Sequence, residues 1–185
     1  MSIEIVYETH ATTADNEAGI ATGWLPGALS ATGRLQAREL GRRRRDDGIA
    51  AVFTSDLDRA VEIAFADTQL PIHQDPRLRE CNYGQLNGWP VAFVEAQRAR
   101  RIDEPFPGGQ SYRDVQAATD DFLRDLAADR DGTRVLVIAH SANRWALDCL
   151  LTGAHWQALV EASSPWQPGW EYRLPTPWRV AGPSR

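Results

Sequence analysis

Val135-Leu136-Val137-Ile138-Ala139 is an unbroken apolar run that ends on His140. Five such residues in succession leave no polar face, so a strand built from them must be covered on both sides. Ile3-Glu4-Ile5-Val6-Tyr7, ahead of Thr9-His10, reads as a second strand, residues 50–53 as a short buried third and residues 71–74 as a weaker fourth. Helical patterns separate them. Ser30 is placed to cap a helix reaching Gly48, and residues 56–66 carry Leu57, Ala60, Ile63 and Ala64 at helical spacing. Residues 90–101 open with proline, which a first helical turn tolerates. Ser111-Tyr112-Arg113-Asp114 has the form of a capping box and opens a helix to Ala128. A further helix follows His140 to Leu151, and residues 170–174 read as a closing strand. This alternation predicts an α/β fold, a single three-layer α/β/α domain with a mostly parallel central sheet over residues 1–175. The proline- and glycine-bearing stretch 176–185 is expected to be a poorly ordered tail.

Composition narrows the class. The chain has 185 residues, of which 43% are hydrophobic and 24% charged, the balance of a globular protein. No segment has the apolar length of a membrane span, and no basic, apolar leader precedes Ile3, so a cytoplasmic location is expected. Cys81 and Cys149 lack any zinc-like or Cys-x-x-Cys spacing and are expected to be reduced thiols, with no metal site. The net charge of −5 argues against nucleic acid as a partner. Every cation is arginine, so arginine number alone says nothing about phosphate. The run Arg42-Arg43-Arg44-Arg45 is expected to be a solvated helix end that complements the helix dipole.

Strand ends are where α/β sheets open to ligands. His10 and His140 each occupy one, Arg59 follows the third strand, and Glu80 lies beyond the fourth. Singly, each reads as an ordinary loop residue. Together, two imidazoles, a guanidinium and a carboxyl are what phosphoryl transfer through a histidine nucleophile needs.

The motifs resemble those of the histidine phosphatase superfamily, phosphoglycerate mutase-like branch. Residues 9–16, Thr-His-Ala-Thr-Thr-Ala-Asp-Asn, are similar to its Arg-His-Gly-Glu-Thr-x-x-Asn signature, and Ser55-Asp56-Leu57-Asp58-Arg59-Ala60 to its Ser-x-x-x-Arg-Ala motif. Leu78-Arg79-Glu80, Pro107-Gly108-Gly109-Gln110-Ser111 and Ala139-His140-Ser141 resemble its acid loop, glycine turn and second-histidine motif. The resemblance implies a phosphoglycerate mutase-like fold and a phosphatase with His10, Glu80 and His140 as catalytic residues. His10 would carry the phosphoryl group and Glu80 would be the general acid. Arg59, Asn16 and Ser141, at the start of its helix, would bind phosphate. It implies no cofactor, a small phosphorylated substrate, and leaves open a homodimer. A phosphoglycerate-type mutase remains an alternative, as does a weakened member that binds a ligand or partner.

The chain departs from the pattern at Thr9, Ala11, Thr12, Gln110 and Ser141. Arg144, one turn into the helix after His140, is the candidate to replace the arginine lost at Thr9. Glu8 would either orient it or form a salt bridge elsewhere. Residues 81–110 are expected to form a lid made apolar by Trp89, Phe93 and Phe106.

Overall fold

The computed structural model describes residues 1–64, 69–162 and 167–179. Strand β1 (Ser2–Thr9) leads through helix α1 (Ala14–Glu17) and strand β2 (Ile20–Ala21) to helix α2 (Ala31–Arg44). Strand β3 (Ala51–Thr54), helix α3 (Asp58–Ala64), strand β4 (Ile72–Gln74), strand β5 (Trp89–Pro90) and helix α4 (Val91–Glu95) follow. Helix α5 (Tyr112–Asp129), strand β6 (Arg134–Ala139), helices α6 (Ser141–Leu147) and α7 (Trp156–Glu161), and strand β7 (Trp170–Pro175) complete the described elements.

The main sheet has the order β4-β3-β6-β1-β7, parallel except for β7, which pairs antiparallel with β1. The most apolar strand, β6, therefore lies between β3 and β1 with both edges bonded. Its period of two sorts its side chains. Val135 and Val137 pack with Phe122, Leu123 and Leu126 of α5, while Leu136 and Ile138 pack with Ala37, Leu40, Ala60 and Ile63 of α2 and α3. A third cluster joins Cys81, Val94, Phe106, Tyr112, Trp145 and Trp156 beside the sheet.

The caps read from the sequence form as hydrogen bonds. Ser30 Oγ accepts from the Gly33 amide (3.1 Å) at the start of α2. At α5, Ser111 Oγ accepts from the Asp114 amide (3.1 Å) and the Asp114 carboxylate from the Ser111 amide (2.8 Å). Helix ends depart from expectation. The helix of residues 90–101 stops at Glu95 and resumes only as a 3₁₀ turn, Arg100–Ile102. There the Arg101 guanidinium turns inward to the Pro105 carbonyl (2.8 Å), closing the segment. The helix after His140 changes to a π turn at Asp148–Thr152. Expected helical residues 65 and 66 and tail residues 180–185 lie outside the described residues. The described part of the tail is pinned: the Trp178 indole donates to Asp120 (2.7 Å). Both cysteines are free thiols, and no helix among the described residues is long and apolar enough to cross a membrane.

Candidate active site

His10 extends the ladder one residue beyond β1, its amide donating to the Ala139 carbonyl (2.9 Å). Its Nδ1 lies 2.8 Å from the Ala11 carbonyl. A carbonyl can only accept, so Nδ1 carries the proton and the Nε2 lone pair is left available. His140 closes β6 and caps α6, and its own carbonyl accepts the Tyr7 hydroxyl (2.6 Å). The shared β1–β6 register thus sets the two imidazoles 5.0 Å apart between ring centres.

Arg59 enters from α3, 2% exposed, and donates to the Gly23 carbonyl at 2.8 Å. Its charge bears on both imidazoles. Burial first, then Arg59, lowers the His10 pKa to about 4. Burial, Arg59 and His10 push His140 well below the ordinary range. Both shifts favour the neutral ring, and a neutral His140 donates a hydrogen bond only through whichever nitrogen carries its proton. Glu80 is buried, and its Oε1 accepts from the Cys81 amide (2.8 Å) and the Ala142 amide (3.3 Å). Burial raises its pKa, outweighing those hydrogen bonds and Arg59. A carboxyl so placed holds its proton to higher pH, as a general acid requires.

The remaining expected site residues make other contacts. Asn16 is exposed and its Oδ1 accepts from the Thr13 amide (3.0 Å), capping α1. Ser141 is exposed at the start of α6, where the Ala142 amide is taken by Glu80. Arg144 was expected to reach back to the pocket; its guanidinium bonds Asp148 (2.6 Å) and lies 5.1 Å from the Trp170 ring centre. Asp148, also bonded by the Tyr172 hydroxyl, draws it toward the C-terminal end of α6 and β7 instead of back toward His140. Glu8 does not orient it. Glu8 is 2% exposed and binds Arg43 (2.9 Å) and Arg44 (2.7 Å), so the arginine run is not simply a solvated helix end. Of the three aromatics expected to line a lid over residues 81–110, Phe106 is buried and Trp89 and Phe93 are exposed.

Ser55, quoted in a motif but given no role from sequence, lies 2.8 Å from His140 Nε2. Trp24, in the loop after the first signature, was given no role from sequence; its indole donates to the Glu80 carbonyl (2.6 Å), and the guanidinium of Arg79 lies 4.7 Å from its ring centre. The position of Ser55, one residue past a strand beside β6, is its sequence signal.

The profile of the Histidine phosphatase superfamily (branch 1) matches residues 9–164. A putative phosphoserine phosphatase 2 of Hydrogenobacter thermophilus is 30% identical, over 78% of this chain and 76% of its own. A 2,3-bisphosphoglycerate-dependent phosphoglycerate mutase of a Methylobacterium species is 33% identical, with 80% of each chain covered. Among solved structures, Bacillus stearothermophilus YhfR superposes with a TM-score of 0.83 at 24% identity, covering 97% of this chain and 95% of its own. A mycobacterial glucosyl-3-phosphoglycerate phosphatase, complexed with VO3, gives 0.76 at 26% identity, covering 86% and 87%.

Proposed function

Because the chain belongs to the histidine phosphatase superfamily, we propose that it hydrolyses phosphate monoesters of small metabolites, without a metal, through a phosphohistidine on His10. The observation that carries this reading is the His10 ring itself. It is held by Nδ1 to the Ala11 carbonyl and kept neutral to about pH 4, beside Arg59.

In the first step Nε2 bonds to phosphorus as the ester P–O bond breaks, and the Glu80 carboxyl gives its proton to the departing oxygen. In the second, the Glu80 carboxylate takes a proton from water, whose oxygen attacks phosphorus and frees His10. Arg59 offsets the charge on the equatorial oxygens. Thr9 provides no guanidinium, and one missing preorganised donor costs on the order of 10²–10³ in rate, so turnover below that of two-arginine relatives is expected.

Mutase activity is the second reading, favoured by the mutase-named relative. Hydrolysis is preferred because only residues 81–106 separate the acid from the glycine turn, and they hold little beyond α4 and short turns. The exposed Trp89 and Phe93, edge to face at 5.3 Å, favour a leaving group bulkier than a glycolytic acid.

Rapid quench with labelled phosphomonoesters should trap an acid-labile, alkali-stable phosphoenzyme that disappears in His10→Ala. Label on serine or aspartate would refute the mechanism. Conversion of 3-phosphoglycerate to 2-phosphoglycerate with a trace of bisphosphoglycerate would establish the mutase. Inactivity on every monoester would leave the weakened, ligand-binding member.

A further inference from the structure

Ser55 follows β3 directly, one residue past the Thr54–Ile138 pair, and so stands beside the strand end that carries His140. Both side chains are fully buried, with Ser55 Oγ 2.8 Å from His140 Nε2. A hydroxyl has one proton and two lone pairs. The Leu57 amide already donates to Oγ, at 3.4 Å. If Nε2–H donated as well, the hydroxyl proton would be buried with no acceptor among the described residues. Donation from Ser55 Oγ–H to Nε2 satisfies all three groups. The imidazole proton then belongs on Nδ1, which is buried with no partner among the described residues. With Nε2 occupied, Nδ1 is the atom left to meet an oxygen held between the two rings, whose centres are 5.0 Å apart.

We infer that Ser55 is a positioning residue, which fixes His140 as its Nδ1–H tautomer and so makes it a hydrogen-bond donor to the phosphoryl group. The inference rests on the proposed phosphohistidine on His10, whose ring lies beside that of His140. Burial and the Arg59 charge keep this ring uncharged, so protonation does not provide the donor, and the tautomer decides whether one exists. An imidazole in the wrong tautomer costs on the order of 10⁴ in rate where this has been tested in a catalytic triad.

The test is a long-range proton–nitrogen correlation on the full chain with ¹⁵N-labelled histidine, the His140 signals identified by their absence in His140→Gln. Wild type should show the proton on Nδ1. Ser55→Ala should lose that bias and lower kcat by about tenfold or more with KM little changed, a fraction of the tautomer effect. A proton on Nε2 in wild type would overturn the inference, as would Ser55→Ala with wild-type kcat. A fall in kcat with the tautomer unchanged would reduce Ser55 to packing and overturn it too. The spectrum needs no turnover, so inactivity on all monoesters would count against the phosphatase alone.

Discussion

At the scale of single residues, one imidazole and one carboxyl group set the working pH of the proposed phosphatase. His10 is neutral above about pH 4, which opens the active range on the acid side. Glu80 keeps its proton to higher pH than an ordinary glutamate and loses it as pH rises further, which closes the range on the alkaline side. The alkaline limb of kcat/KM should therefore be absent in Glu80→Gln. That variant should lose about 10²–10⁴ on alkyl phosphates but far less on p-nitrophenyl phosphate, whose leaving group needs little protonation. Equal losses on both would assign Glu80 to positioning alone. Arg144 belongs to stability. It is 8% exposed and paired with Asp148, so Arg144→Ala should cost about 3 kcal/mol in denaturant unfolding, as removing one partner of a buried pair does. Its kcat/KM should stay near wild type; a large loss would return Arg144 to the pocket. His10, Arg59, Glu80 and His140 were legible because each follows a strand or sits in a motif. Ser55 was not, because its role lies in one hydrogen bond across the sheet.

At the scale of elements, α2 presses directly on the loop that follows His10. A Cβ on Gly33 would stand 2.0 Å from the Thr12 carbonyl oxygen, so helix and loop touch backbone to backbone. Gly33→Ala should cost about 1–3 kcal/mol through overpacking and also lower kcat/KM, because relief must move the segment that bonds His10 Nδ1. Unchanged kinetics would show that the strain is absorbed within α2. Capping residues were readable because a cap is a contact between residues three apart. The ends of the helices were not: α4 stops at Glu95, short of the turn in which Arg101 bonds the Pro105 carbonyl, and α6 becomes a π turn where Asp148 gathers Arg144 and Tyr172. Leu35 fits the apolar spacing of α2 yet is 65% exposed, since the groove it would fill is set by neighbouring elements.

At the scale of the whole molecule, the site is built at the expense of acid stability. The pKa values of His10 and His140 are depressed on folding, so the unfolded chain binds more protons as pH falls below about 6.5. Stability is thus lost as pH drops from there toward 4, by on the order of 3 kcal/mol through His10 alone. Glu80, with a raised pKa, contributes in the opposite sense. The melting temperature should fall steeply over that range in wild type and less steeply in His10→Gln. Parallel curves would mean that the ring is not desolvated as described. By itself the sequence determined the α/β alternation, the two-faced burial of β6 and the strand ends that bear both histidines, because periodicity and strand length are local. Only the tertiary structure decided that Arg144 pairs with Asp148, that Glu8 serves Arg43 and Arg44, and that Ser55 meets His140. Those choices depend on which side chains of distant segments meet, and the same guanidinium is stabilised by whichever carboxylate packing brings within reach.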